Sequence, residues 1–184
     1  MSENDHSNDT NSERPTVIRP GESDFFDWGG AGAEFKIDSS DTEGNFAIVH
    51  HPIAPRTLVA PLHRHHHEDE YSFVLEGTMG ALLGDNVVEA EAGSWVFKPR
   101  DEWHTFWNAG DTPCHLIEVI SPGGMEDGFR EWREVGDDIE QSKKIDEKYG
   151  IDTDYESVPG LCERFDLRPP EDAEIPSRFY GDPS

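Results

Sequence analysis

Four residues of this 184-residue chain have the types and spacing of a mononuclear metal site. His63 and His65 are two apart, so on a strand their side chains share a face. Glu70 lies five residues further on and would point the other way on an unbroken strand. The intervening His66-His67-Glu68-Asp69 is too polar for a core strand, and a bend there lets Glu70 open the next strand facing inward. His104 follows 34 residues after Glu70, in the strand-like run WHTFW. Three imidazoles and one carboxylate form a mixed nitrogen and oxygen set. It suits iron, manganese, nickel, cobalt, copper or zinc, and not the all-oxygen shells that calcium and magnesium prefer. The expectation is one divalent transition metal per chain on His63, His65, Glu70 and His104. His6, His50, His51 and His115 show no such pattern and read as hydrogen-bonded or exposed residues. His66 and His67 read as turn residues facing water, and Arg64 as facing away from the His63/His65 side.

These four must be positioned by short strands. Runs at 45–50, 55–60, 71–76, 78–83, 86–90, 94–98, 103–107 and 114–120 are rich in β-branched and aromatic residues. Turn residues separate them, as at Gly84-Asp85-Asn86 and at Asn108 to Pro113. Five- or six-residue strands recurring about every ten residues predict an all-β sandwich or barrel. Before them, residues 1–22 read as a disordered acidic tail, and the segment to Ile37, with Phe25, Phe26 and Trp28, as an arm that packs aromatics on the core. After Pro122-Gly123-Gly124, a sparse apolar stripe from Phe129 to Tyr149 predicts a helical extension over 123–150, broken near Gly136 and stopped at Gly150. Residues 151–184, charged and proline-bearing, read as an irregular acidic tail. The expected barrel occupies 23–122 with its arm.

Alternation sets what lies around the site. If Glu70 faces inward, so do Ser72 and Val74; if His104 does, so does Phe106. Tyr71, Phe73, Leu75, Trp103 and Trp107 then fall on the outer face, which is too apolar to stand in water. Either the aromatic arm and the helix at 125–135 cover it, or a second subunit does; a homodimer is the expectation.

Two strings carry a resemblance. PLHRHHHEDEYSFVLEG contains His-x-His, four residues, Glu70, six residues and Gly77. GSWVFKPRDEWHTFWN contains Gly93, five residues, Pro99, then His104 and Asn108. In order, and with 15 residues between Gly77 and Gly93, they resemble the paired motifs of the cupin superfamily. The resemblance covers about residues 40–122 and implies a double-stranded β-helix, or jelly-roll barrel, with the C-terminal helical extension of quercetin-dioxygenase-like cupins. The superfamily's four metal ligands fall on His63, His65, Glu70 and His104. Two of its glycines are replaced, by Thr57 and by Asp101, which puts the local backbone there in question. The resemblance further implies a centre with two open positions in an octahedral metal. There an enolic or phenolic small molecule would be cleaved by dioxygen, with Glu70 as the catalytic base on its hydroxyl. A non-oxidative isomerase or cyclase, and a binding protein without turnover, remain open, because fold does not fix function.

Composition excludes other classes. Forty acidic against 15 basic residues give a formal net charge of −25, which opposes nucleic acid and anionic membranes. The excess is spread along the chain, at −8, −7 and −10 over residues 1–44, 45–122 and 123–184, and looks like adaptation to a salt-rich cytoplasm. The first residues have neither a basic nor an apolar signal region, and Cys114 and Cys162 form no pairing motif. A cytoplasmic location is expected.

Overall fold

A computed structural model describes residues 17–175. The expected tails at 1–16 and 176–184 lie outside the described residues, and 17–22 carry no strand or helix. Eleven strands follow among the described residues: β1 (Phe25–Asp27), β2 (Gly32–Ile37), β3 (Ala47–Ile53), β4 (Leu62–His65), β5 (Asp69–Glu76), β6 (Thr78–Leu83), β7 (Asn86–Glu91), β8 (Trp95–Lys98), β9 (His104–Asn108), β10 (Cys114–Ser121) and β11 (Ile151–Asp154). Three helices accompany them: α1 (Glu126–Val135), α2 (Ile139–Tyr149) and α3 (Ser157–Phe165).

The strands pair antiparallel in two sheets. One runs β1-β2-β3-β10-β5-β8 and the other β11-β4-β9-β6-β7. Period-two alternation explains the split of side chains between the two faces. On β5, Glu70, Ser72 and Val74 are buried while Tyr71 is exposed; on β8, Val96 and Lys98 are buried while Trp95 and Phe97 are exposed. Between the sheets, Ile53, Val74, Met79, Val96, Phe106 and Leu116 form the central core. The double-stranded β-helix with a C-terminal helical part is the fold observed.

Gly136 and Gly150 end α1 and α2 at positive φ (55° and 69°), where a side chain would be strained, so the break and the stop fall at the expected residues. Asp101 takes the left-handed backbone (φ 64°) in place of a glycine, and its amide donates to His65 O at 2.7 Å.

Three expectations need correction. Residues 55–60 make no ladder; Thr57 and Leu58 pair with other segments as isolated bridges, and the strand of this region is β4. Their burial comes from packing, with Leu58 fully enclosed. Residues 151–165 are not irregular. β11 pairs with β4 along its length, and α3 accommodates Pro159 in its first turn, where the missing amide donor costs nothing. Lastly, the arm and α1 do not cover the outer face of β5 and β8. Phe26, Trp28, Phe129 and Trp132 pack with Val49, Ile120 and Met125 instead. On the other sheet it is α3 that covers Trp107, whose ring stacks on Phe165 at 4.3 Å.

Candidate metal centre

β4 puts His63 and His65 on one face, and His63 lies directly opposite His104 of β9. Residues 66–68 then carry the chain from one sheet to the other, so Glu70 enters from β5 across the barrel. One candidate ligand atom from each of His63, His65, Glu70 and His104 lies within 4.8 Å of all the others. The structure therefore brings all four predicted residues together. His65, Glu70 and His104 are buried, and His63 is half-buried at the wall of a cavity.

Hydrogen bonds fix the ring orientations. His63 Nδ1 donates to Pro61 O at 2.8 Å and His104 Nδ1 to Glu102 O at 3.0 Å. A carbonyl only accepts, so each ring carries its proton on Nδ1 and presents the Nε2 lone pair. His104 Nε2 faces Glu70 Oε2 at 3.1 Å and His65 Nε2 faces Glu70 Oε1 at 3.6 Å. Lone pairs directed at a carboxylate need a cation between them. Burial, followed by the neighbouring imidazoles, holds the His63 ring well below its ordinary range, and burial lowers His65 to about 4, so both offer neutral nitrogen donors. Neither ring nitrogen of His65 has a hydrogen-bond partner among the described residues. These orphaned, converging donors fit a divalent transition ion.

Behind the ligands stands a buried ion network that sequence reading missed. Lys98 Nζ lies 2.9 Å from both Glu70 Oε2 and Glu118 Oε2, and Ser72 Oγ donates to Glu118 Oε2 at 2.9 Å. Burial alone would raise the Glu70 carboxyl, but Lys98 and then His65 and His104 keep it well below the usual range. Glu118, desolvated more than it is compensated, is pushed up to about 7, and its Oε1 has no partner among the described residues. Glu68, from the stretch too polar for a core strand, is buried with Oε2 3.8 Å from His65 Nδ1. His66 instead pairs with Asp101 and Asp152 away from the centre. Parity could have found three of the missed residues: Lys98 shares a face with Val96, Glu118 with Leu116 and Ile120, and His51 with Val49 and Ile53.

His63, His65 and Glu70 border a cavity of about 650 Å³, with His104 buried behind them. Trp28, Phe106, Phe129 and Trp132 give it aromatic walls, and His51 and Glu118 also border it. Among the described residues, no helix is long and apolar enough to cross a membrane.

Residues 49–120 match the family model described as a cupin domain. That segment, from β3 to β10, is a cupin domain. Solved structures similar to it cover about three fifths of the chain. KdgF from a Halomonas species superposes with a TM-score of 0.54 at 15% identity, covering 62% of this chain and 99% of that one. A predicted oxalate decarboxylase from Thermotoga maritima gives 0.51 at 22%, covering 58% and 98%. The polyketide cyclase RemF from Streptomyces resistomycificus gives 0.50 at 23%, covering 59% and 80%. At these identities the likeness is one of fold. No curated protein matches the chain in sequence.

Proposed function

We propose that this cupin is a metal-dependent dioxygenase acting on an enolic or phenolic small molecule, in the manner of quercetin dioxygenases. The observation that carries the reading is the three-imidazole, one-carboxylate cluster, three of whose members border an aromatic cavity. His63, His65, Glu70 and His104 would hold the ion, which supplies Lewis-acid and redox chemistry when bound. The chain's own residues do the rest. The aromatic walls hold a flat substrate and keep water from it. Glu70 is the base that takes the substrate hydroxyl proton on a carboxylate oxygen, and Lys98 positions that carboxylate from behind.

A non-oxidative cyclase or isomerase is the second reading. It is favoured by the same apolar cavity, and a polyketide cyclase shares the fold at a TM-score of 0.50. Metal analysis of protein purified without chelator, followed by oxygen uptake with enolic and phenolic compounds, separates the two. About one equivalent of a redox metal with substrate-dependent uptake supports the dioxygenase. Zinc alone, with product formed and no uptake, supports the second reading. Binding without turnover leaves a small-molecule-binding cupin.

The partner proposed is a second copy of the chain. Tyr71 stacks on Phe97 (5.0 Å) and Phe73 packs on Trp95 (4.9 Å) across β5 and the edge strand β8. Trp95 is 63% and Phe97 51% exposed. A ladder of aromatic rings along a sheet edge favours burial between copies. The spread of acidic residues supports a salt-rich cytoplasm as the working environment.

A further inference from the structure

His51 occupies a place in the cavity that the four-ligand centre does not use. It lies on the inner face of β3, directly opposite Leu116 of β10. The side chain is 2% exposed, and its Nδ1 donates to Gly32 O at 2.8 Å. That bond fixes the tautomer and leaves a lone pair on Nε2. Nε2 has no hydrogen-bond partner among the described residues, and the ring forms part of the cavity wall.

Three aromatic side chains of the same cavity surround the ring. Phe129 lies 5.8 Å away edge-on, Phe106 6.0 Å and Trp28 6.3 Å, centroid to centroid. Phe106 also connects this end of the cavity to the metal end, since Lys98 Nζ sits 4.3 Å from its centroid. His51 is thus a polar point within a box of three aromatic rings. A ligand that fills the box must give its Nε2 a partner or leave a buried acceptor unsatisfied.

We propose that His51 is a specificity-determining residue that accepts a hydrogen bond from a ring hydroxyl of a planar aromatic ligand whose enolic oxygens lie at the four-ligand cluster. The inference rests on the dioxygenase reading for the far end of that ligand. Burial lowers the His51 ring to about 4, so it is neutral at physiological pH. A neutral lone pair repels a carboxylate and accepts from a hydroxyl, the donor that an enolic or phenolic ligand carries. Sites built around such a bond reject analogues that lack the group more strongly than apolar pockets reject a missing methylene.

The test uses metal-loaded protein and two flavonol probes that differ only in the hydroxyls of the fused ring, with binding read from quenching of Trp28 and Trp132 fluorescence. Wild-type protein should bind the hydroxylated flavonol more tightly, and His51→Leu should lose that preference by roughly tenfold. His51→Gln, which retains a hydrogen-bonding group, should restore part of it; this variant also separates recognition from loss of packing. An unchanged preference in His51→Leu, an equal loss for both flavonols, or no binding of either by wild-type protein overturns the inference. Oxygen uptake measured in parallel judges the dioxygenase reading separately: His51-dependent discrimination without uptake keeps the inference and removes that reading.

Discussion

His63 and His104, 41 residues apart in sequence, are register partners across β4 and β9, with ring centroids 4.4 Å apart. The pairing sets two of the four clustered residues on one rung of the same sheet, so loss of either ring opens the cluster. His104→Ala should lose most bound metal, with an affinity decrease of about 100-fold or more. His67, whose ring packs over Gly150 outside the centre, should be replaceable by alanine with metal content unchanged. Elemental mass spectrometry of both variants after desalting checks this, and equal losses would mean that the ligand set is wrong.

The centre was legible in the sequence because its geometry is mostly local. A His-x-His pair needs only strand periodicity, and the polar break at 66–69 is what turns Glu70 inward. The same parity rule, applied to β5 and β9, placed Ser72, Val74 and Phe106 inside. Reading failed where tertiary partners decide. Leu58 and Val59 are as apolar as a strand but pack without a ladder. β11 and α3 look like tail because their apolar residues are few, and their order comes from β4 and Trp107. His51 was passed over because nothing beside it in sequence marks a cavity, which Trp28 and Phe129 complete from distant segments.

Lys98 is fully buried between two carboxylates, and its removal leaves both without a counter-charge. Breaking a buried ion pair by deleting one partner costs about 3–5 kcal/mol. Lys98→Met should therefore lower the urea midpoint of the metal-free protein by that order of stability. Adding Glu118→Gln should recover part of the loss, and bound metal, as a replacement cation beside Glu70, should recover more. Additive losses in the double variant would show that Lys98 and Glu118 are not coupled.

The exposed ladder of Trp95 and Phe97 predicts the oligomeric state. Wild-type protein should run as a dimer in light-scattering chromatography, and Trp95→Ser with Phe97→Ser should run as a monomer with its metal content retained. A monomeric wild type removes the proposed interface.

Glu34 predicts an acid limb of stability. Burial alone would raise its carboxyl, but hydrogen bonds from His50 and from Lys36, 2.7 Å away, lower it to about 2. The unfolded chain, with an ordinary carboxyl near 4.5, takes up that proton first as pH falls. The contribution is thus present above pH 4.5 and lost between there and pH 2, and amounts to at most about 3 kcal/mol. Comparing wild type with Glu34→Gln by denaturant titration across that range should show the difference between them shrinking as pH falls. A difference that is constant with pH would assign the Glu34 contribution to packing instead.

The pairing of β11 with β4 has a consequence for when the centre can exist. β4, which carries two of the four ligands, is held to β9 by the single rung His63–His104, and to β11 by four rungs from Leu62 to His65. Arg64 and Asp152, joined across that second edge, stand 88 residues apart in sequence. On the ribosome, the ligand strand emerges long before the segment that braces it. A nascent chain released before Ile151 would carry all four clustered residues and still lack the four rungs that β11 adds to β4.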